Sequence, residues 1–552
     1  MEKKVLIVGG VAGGASAATR LRRLDEHAEI IIFERDQYIS YANCGLPYYI
    51  GEVIKDRDDL IVQTAEDMKI RFNIDVRTES EVMNIAPKEK RVTVKSKSKG
   101  VYEENYDYLI LSPGAKAFKP DIPGINSDKV LCLRNIPDTD AIKSLIDEKN
   151  AKSAVVIGGG FIGIEIAENL IQRGVAVSLV ELAPHILAQF DEDMAVILEN
   201  ELIRNGVSLV LNTSVTAIDE KGDKLEVLLS SGRKINTDFV ISAAGVIPDT
   251  DFIKDSGIEL GPRGHIIVNE RMETNIKDIY AVGDAVEVVD FVNGKKTAIP
   301  LAGPANKQGR IVADNIAGLY SVYKGTQGTS IIKVFELTAA CTGNNEKTLK
   351  RFDVPYETIY VHPMSHATYY PGATPMTLKL LFDKRGKILG AQGIGYDGVD
   401  KRIDIIAAVI RLNGTVNDLA ELELSYAPPY SSAKDPVNMA GFVAQNYLAG
   451  LSHLITWSDL EKLNKEDYIL VDVRTKSEYK RGHIEGAVNI PLDDLRGRLT
   501  ELDKEKTIVV YCRVGVRGYI ADRILSQNGF KVLNITGGYV SEQAMHNIKE
   551  KG

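Results

Sequence analysis

Two copies of one device restrict this chain to a fold built on parallel sheets: a buried strand, a glycine turn, a helix, and a second strand that ends in an acid. The first copy runs from Lys4-Val5-Leu6-Ile7-Val8 through Gly9-Gly10-Val11-Ala12-Gly13-Gly14 into an alanine-rich helical stretch reaching Arg23, then through Ile30-Ile31-Ile32-Phe33 to Glu34. The second runs from Ala154-Val155-Val156-Ile157 through Gly158-Gly159-Gly160-Phe161-Ile162-Gly163 into a helix, then through Val177-Ser178-Leu179-Val180 to Glu181. Short apolar runs of this kind suit strands covered on both faces. The turn brings backbone N–H groups to a pyrophosphate at the helix N-terminus, and the acid accepts a ribose hydroxyl. The second turn has all three glycine positions filled, whereas Val11 takes the middle place in the first. Two bound dinucleotides are expected. Glu181 would hydrogen-bond a free 2′-hydroxyl and repel a 2′-phosphate, which favours NADH over NADPH.

At 552 residues the chain exceeds one hydrophobic core and is expected to form roughly three to five domains. The net charge of -9, with Lys and Arg spread along the chain, offers no field for nucleic acid. No apolar run approaches the roughly 20 residues that cross a bilayer, and the N-terminus enters directly into a strand pattern, so a cytoplasmic protein is expected. The four cysteines, Cys44, Cys132, Cys341 and Cys512, form no close pair, which argues against a disulfide framework and against a metal site. Cys132 in Val130-Leu131-Cys132-Leu133 and Cys341 in Ala339-Ala340-Cys341-Thr342-Gly343 read as core residues. Cys44 and Cys512 are flanked by glycine and turn chemistry, which marks them as reagents.

Tyr108-Leu109-Ile110-Leu111 runs into the turn Ser112-Pro113-Gly114-Ala115, and Ile279-Tyr280-Ala281-Val282 ends in Gly283-Asp284. Asp284 alone could be an N-cap after a strand. With the two glycine turns, however, these motifs resemble, in order across residues 1-290, the FAD- and NAD(P)H-dependent pyridine nucleotide-disulfide oxidoreductases. The resemblance implies an α/β chain with two Rossmann-like domains, for FAD (1-115 and 250-325) and for NAD(P)H (116-249), and then an α+β dimerisation domain (326-446). It places FAD against Gly9, Val11, Ala12 and Gly14, against Glu34, Arg35 and Val82, and against Ser112, Gly114, Arg134 and Ala302, with Asp284 on the ribityl chain. It places NAD(P)H against Gly158, Gly160, Phe161, Ile162 and Gly163, with Glu165, Glu181 and Gly245.

Cys44 lies in Ser40-Tyr41-Ala42-Asn43-Cys44-Gly45-Leu46-Pro47-Tyr48, just past the first nucleotide unit and without a second cysteine nearby. Single-cysteine members of the family include NADH oxidases and peroxidases, which cycle through a sulfenic acid, and coenzyme A-disulfide reductases, which cycle through a mixed disulfide. The oxidase group carries a histidine in the first glycine turn, whereas here no histidine precedes His27. The coenzyme A group carries a paired-tyrosine segment and an Ala-Pro-Pro-Tyr segment, matched here by Ser365-His366-Ala367-Thr368-Tyr369-Tyr370-Pro371-Gly372 and by Ser425-Tyr426-Ala427-Pro428-Pro429-Tyr430. Residues 1-445 thus resemble coenzyme A-disulfide reductases. The resemblance implies a homodimer in which Tyr369 and Tyr426 reach Cys44 of the opposite subunit and donate to a thiolate. Ordinary interface packing is the other reading of both tyrosines. Arg20 and Arg23, three apart, share a helix face that suits either phosphates or solvent. The resemblance favours the coenzyme A phosphates and adds Ser16, Ser40, Asn43, Arg71, Asn306 and Lys434.

After Asn446 the pattern breaks, and Tyr447-Leu448-Ala449-Gly450-Leu451 reads as a linker to a separate α/β unit over 455-552. Three spaced motifs mark that unit: Asp472-Val473-Arg474 at a strand end, Gly482-His483-Ile484-Glu485-Gly486-Ala487, and Cys512-Arg513-Val514-Gly515-Val516-Arg517-Gly518 before a helix. They resemble a rhodanese domain. A cysteine in a loop over a helix N-terminus has amide groups and the helix dipole directed at its sulfur, and Arg513 and Arg517 add positive charge, so a thiolate or persulfide is stabilised. A Cys-x-x-x-x-x-Arg loop also serves tyrosine phosphatases, but the other two motifs favour sulfur transfer. The combined resemblances imply a reductase of coenzyme A disulfide, coenzyme A persulfide or polysulfide. FAD, NADH or NADPH, and coenzyme A would be its cofactors, and small thiols, disulfides or persulfides its partners. Cys44 would pass through a mixed disulfide with coenzyme A, and Cys512, aided by Arg517, would carry sulfane sulfur. The alternatives are an NADH oxidase or peroxidase and a redox sensor whose rhodanese-like domain only docks a partner.

Overall fold

The apolar runs of the two glycine units form the middle of two all-parallel, five-stranded sheets in the computed structural model, which describes residues 3-549. The first sheet has the order Ile279–Ala281, Tyr108–Leu111, Lys4–Val8, Glu29–Phe33, Asp75–Arg77. The second repeats the plan with Ser208–Val210, Ala176–Val180, Ser153–Ile157, Phe239–Ser242 and Val130–Leu131. Ile30, Ile31 and Ile32 are at most 1% exposed, so the run without polar alternation is a strand covered on both faces. Each sheet is accompanied by a three-stranded antiparallel sheet, Ser80–Ala86 to Gly100–Asn105 in one case and Val215–Lys221 to Lys234–Thr237 in the other.

Helix Ala12–Leu24 lies so close to helix Ala302–Ile316 that a Cβ on Gly309 would sit 2.4 Å from the carbonyl oxygen of Gly13. Two sequence positions 296 apart (309 minus 13) are thereby brought into backbone contact beneath the first glycine turn.

The chain divides into two compact units, Met1–Ile186 with Asn205–Thr326, and Leu187–Arg204 with Gln327–Gly552. The second unit contains a five-stranded antiparallel sheet in the order Ser330–Val334, Leu337–Gly343, Ile388–Gly395, Met376–Phe382, Glu357–Val361. It also contains a five-stranded parallel sheet in the order Leu454–Ile455, Val532–Ile535, Thr507–Tyr511, Tyr468–Asp472, Val488–Asn489. The two sheets are joined by side-chain hydrogen bonds. The Tyr360 amide donates to Thr536 Oγ1 at 2.9 Å, and His362 Nε2 lies 3.1 Å from Ser541 Oγ.

Helix Pro436–Leu448 extends two residues past the expected break, so Tyr447 and Leu448 are helical, and Tyr447 bonds Glu357 through its hydroxyl. The parallel sheet begins one residue before the expected boundary, at Leu454. Helix Glu192–Arg204 belongs to this unit, where the buried Lys379 amine meets Asp191 at 3.0 Å, Asp193 at 2.9 Å and Glu346 at 2.8 Å. Among the described residues no helix is long and apolar enough to cross a membrane.

Candidate active site

The two glycine turns are built alike. Gly9 (φ +93°) and Gly158 (φ +107°) each take a left-handed backbone that disfavours a side chain. A Cβ on Gly14 would lie 1.9 Å from the Gly9 carbonyl oxygen, and one on Gly163 would lie 1.9 Å from that of Gly158. The third glycine therefore lets each helix press onto its turn. By contrast, a Cβ on Gly160, Gly245 or Gly114 would meet nothing within 4 Å, which leaves these backbones open to a ligand.

Glu34 accepts from the Gly10 amide at 3.0 Å and the Asp36 amide at 3.1 Å. Glu181 accepts from Gly159 at 2.6 Å and Ala183 at 2.7 Å. Burial pushes the Glu34 carboxyl up, against the pull of its two amides. Val11 caps its helix without a side-chain bond, Ala12 follows it, and Phe161 and Ile162 open the second helix half-buried. Open backbone, the buried Glu34 and the half-buried Glu181 thus offer what two dinucleotides require.

Around the first turn, the Ser112 amide donates to Val8, and the buried Val82 lies in the accompanying sheet. Ala302 is exposed at the start of its helix. Arg35 is ion-paired with Asp249, and Arg134 Nη2 donates to the Ala115 carbonyl at 2.7 Å. Asp284 sits half-buried in the one-turn helix Gly283–Ala285; burial raises its carboxyl while Arg134 lowers it.

Ser40, with φ +39°, is in the left-handed region, held by its amide on Gly10 and by Val62 and Gln63, which donate to its carbonyl. It directs the chain into the one-turn helix Asn43–Gly45, which carries Cys44 and leads into helix Leu46–Ile50. Cys44 reaches solvent, yet its surroundings raise the thiol: desolvation first, then the charges of Glu165 and Asp284. Glu165, on the helix of the second glycine turn, is pushed up to about 7, chiefly by burial. Its Oε1 lies 3.5 Å from the Tyr48 hydroxyl, and Tyr48 rises to about 12. The two helices are clamped by Arg173 Nη1 on the Ile50 carbonyl at 2.9 Å. The sulfur and a titrating carboxyl thus act on one another electrostatically.

On helix Ala12–Leu24, Ser16 bonds Asn306 at 2.7 Å, while Arg20 Nε is spent on Asp314 at 2.8 Å rather than left free with Arg23. Arg23 is exposed. Arg71 is exposed on helix Ala65–Phe72, whose end is tied to the first helix by Arg22 Nε on the Phe72 carbonyl, and Asn43 is exposed beside Cys44. Cys132 lies half-buried just past its strand, whereas Cys341 is buried, which pushes its thiol to about 11.

In the second unit the Tyr369 and Tyr426 hydroxyls meet at 2.5 Å, and both side chains are exposed, at 73% and 47%. Lys434 is exposed on the Tyr426 segment. The residue that holds the two tyrosine segments together was not singled out in the sequence: Arg402 Nη2 donates to the Ser365 carbonyl at 3.0 Å, Ser431 Oγ at 3.0 Å and Asp435 Oδ2 at 3.1 Å. Its only sequence signal is a cation within an otherwise apolar helix face.

Cys512 follows the strand Thr507–Tyr511, is 1% exposed, and accepts at its sulfur from the Gly515 amide at 3.1 Å. Buried Asp472 and Arg474 form a bidentate pair, and Arg474 Nη2 also donates to the Gly482 carbonyl at 2.7 Å, which explains the spacing of those two motifs. Arg517, expected to add positive charge at Cys512, is also paired with Glu478, which takes Nη1 and Nη2 at 2.7 Å each, while its charge still interacts with Cys512. Glu478 was missed because it stands 39 positions away.

Two dinucleotide cradles, a cysteine turn between them and an antiparallel third sheet define a flavin-type nicotinamide-dependent oxidoreductase. The chain belongs to the pyridine nucleotide-disulphide oxidoreductase family, whose model matches residues 3–309, with the family's dimerisation domain at 329–436 and a rhodanese-like domain at 457–544. It is 38% identical over 447 residues to the coenzyme A disulfide reductase of Staphylococcus haemolyticus, a match covering 80% of this chain and all of that one. The structure of reduced Bacillus anthracis CoADR-RHD is 52% identical, with a TM-score of 0.97 over 99% of each chain. A NAD-dependent persulfide reductase from A. fulgidus is 38% identical, with a TM-score of 0.91 over 98% of this chain and 99% of that one. FAD and NAD(P)H are the cofactors of the family, and the paired cradles fit them.

Proposed function

We propose that this chain reduces coenzyme A disulfides and persulfides with NAD(P)H, through a mixed disulfide on Cys44, and that Cys512 supplies sulfane sulfur. The observation that carries the reading is a lone thiol in the Asn43–Gly45 turn, between both cradles, in one chain with a second thiol seated under a rhodanese loop. The reductase and persulfide reductase relatives support it. Bound FAD would supply the electron pair, drawn from the nicotinamide. Gly9, Gly14, Glu34 and Asp284 would hold the flavin; Gly158, Gly160, Gly163 and Glu181 would hold the nicotinamide dinucleotide.

Cys44 acts as a thiolate. It attacks the coenzyme A sulfur of a disulfide or persulfide, forms Cys44-S-S-CoA, and expels a thiolate or hydrosulfide. Tyr369 and Tyr426 of a partner subunit in a homodimer would donate a proton to the departing sulfur. Ser16, Arg20, Arg23, Asn306 and the exposed Arg71 would hold the phosphates, joined by Ser40, Asn43 and Lys434. Since Arg20 is shared with Asp314, Arg23 carries more of that task.

The test is the intact mass of the purified protein before and after a reductant, with the released thiol identified. A coenzyme A adduct that maps to Cys44 and disappears in Cys44→Ser is the expected result. A single added oxygen on Cys44 with no adduct would replace this reading with an oxidase or peroxidase.

A further inference from the structure

The loop over Cys512 carries two cations with different fates. Arg513 is exposed and forms no ion pair with a described residue. Arg517 is gripped at both terminal nitrogens by Glu478, at 2.7 Å and 2.7 Å. Glu478 is fixed in turn: Oε2 accepts from the Thr475 amide at 3.0 Å and hydroxyl at 2.9 Å, closing the cap of helix Lys476–Arg481. Arg517, followed by those Thr475 bonds, holds the Glu478 carboxyl down at about 2, so it is charged at every working pH. Asp472 and Arg474 cancel in the same way, and Arg474 stacks 4.0 Å over the Tyr539 ring. The net charge that the loop offers an incoming donor is therefore close to one positive unit, plus the amide groups around Gly515.

We infer that the Cys512 centre selects sulfur donors of low negative charge, such as persulfides, over dianions of the thiosulfate type, and that Glu478 is the residue that sets this preference. The inference rests on the reading of Cys512 as a sulfane-sulfur carrier. In the step itself the Cys512 thiolate attacks the outer sulfur of a persulfide R-S-SH. A new Cys512 S–S bond forms, the R-S to sulfur bond breaks, and R-S⁻ leaves, giving Cys512-S-SH with no further oxidant or reductant. With thiosulfate the same displacement forms Cys512-S-S⁻ and expels sulfite, a dianion. Three negative charges then share one small site where the persulfide brings at most two. A second free guanidinium would offset the difference, and Glu478 withholds it.

The experiment uses the full chain. Reduced protein is exposed for set times to thiosulfate or to the persulfide of 2-mercaptoethanol, quenched by alkylation, and the Cys512 peptide is read by mass for one extra sulfur. The expected result is that thiosulfate charges Cys512 at least about tenfold more slowly than the persulfide, and that Glu478→Gln raises the thiosulfate rate by about tenfold while changing the persulfide rate less than about threefold. Glutamine keeps the helix cap, because its carbonyl still accepts from Thr475. Thr475→Ala, which weakens the cap but keeps the ion pair, should leave the donor ratio unaltered. Equal charging of the wild-type protein by both donors, or an unchanged ratio in folded Glu478→Gln, overturns the inference alone. Failure of Cys512 to gain sulfur from either donor overturns the carrier reading and the inference with it.

Discussion

Replacing Arg402 by Met should separate positioning from chemistry, because Arg402 ties together the segments of Tyr369 and Tyr426 without being one of the proposed proton donors. Its guanidinium and the Asp435 carboxylate are both about 2% exposed and 3.1 Å apart. Removing one member of a buried pair costs about 3–5 kcal/mol, since the other charge stays buried. Asp435 keeps the Ser431 hydroxyl at 2.6 Å and the Val437 amide at 2.9 Å, which argues for the lower end, about 3 kcal/mol. For a unit of this size each kcal/mol moves the midpoint by about 2–4 °C, so calorimetry of Arg402→Met should show a fall of roughly 6–12 °C. At a temperature where the variant is still folded, its kcat for disulfide reduction should fall toward that of a Tyr369→Phe, Tyr426→Phe double variant, while NADH-driven flavin reduction in the other unit is retained. Arg402→Lys, which can reach one acceptor but not three, should lie between. A variant melting within about 2 °C of wild type with full kcat would refute both the energetic estimate and the positioning role.

Three further outcomes follow from the same geometry. Glu165→Gln should speed alkylation of Cys44 at pH 8 by a few-fold, because ionised Glu165 opposes the thiolate; an unchanged rate would disconnect the two groups. The Glu165 carboxyl is raised from 4.5 to about 7, so the folded state holds its proton more tightly. The resulting stability is present below pH 4.5 and is lost as pH rises through 7, by at most roughly 3 kcal/mol. Denaturant titrations should show this slope in the wild type and not in Glu165→Gln. Gly163→Ala, with its Cβ 1.9 Å from the Gly158 oxygen, should retain flavin absorbance but lose reduction by NADH; Gly14→Ala, the same clash at Gly9, should purify with less flavin. Reversed phenotypes would exchange the assignments of the two cradles.

What could be read from the sequence was whatever depends on neighbours along the chain. Ile30-Ile31-Ile32 reads as a strand covered on both faces, Gly14 and Gly163 stand where a helix must meet its own turn, and the turn after Cys512 leads into the helix that begins at Val516. What could not be read was the pairing of charges from distant positions. Arg20 and Arg23 share a face, as their spacing demands, but Asp314, 294 positions on, claims one of them. Arg517 faces Cys512 with its charge shared by Glu478, a partner 39 positions away, and Arg402 gave no signal because Ser365, Ser431 and Asp435 converge only in the fold. Periodicity reports on backbone and burial, and neither says which carboxylate an arginine will meet.

The two acids that end the nucleotide strands show how a local pattern and a distant pairing combine. The sequence assigns Glu34 and Glu181 to ribose hydroxyls, yet each carboxylate is held by two amides, one from its own glycine turn and one from two residues further along its own chain. A carboxylate has about four acceptor positions, so two amides leave room for a ribose hydroxyl. The amides also stop the side chain from turning aside, with Gly159 to Glu181 as short as 2.6 Å. A 2′-phosphate would meet a negative charge that has nowhere to go, whereas a free 2′-hydroxyl would complete the set. The expectation from Glu181 that NADH is favoured therefore rests on the pinned turn as well as on the acid, and loosening the turn should weaken any discrimination against NADPH even with Glu181 intact.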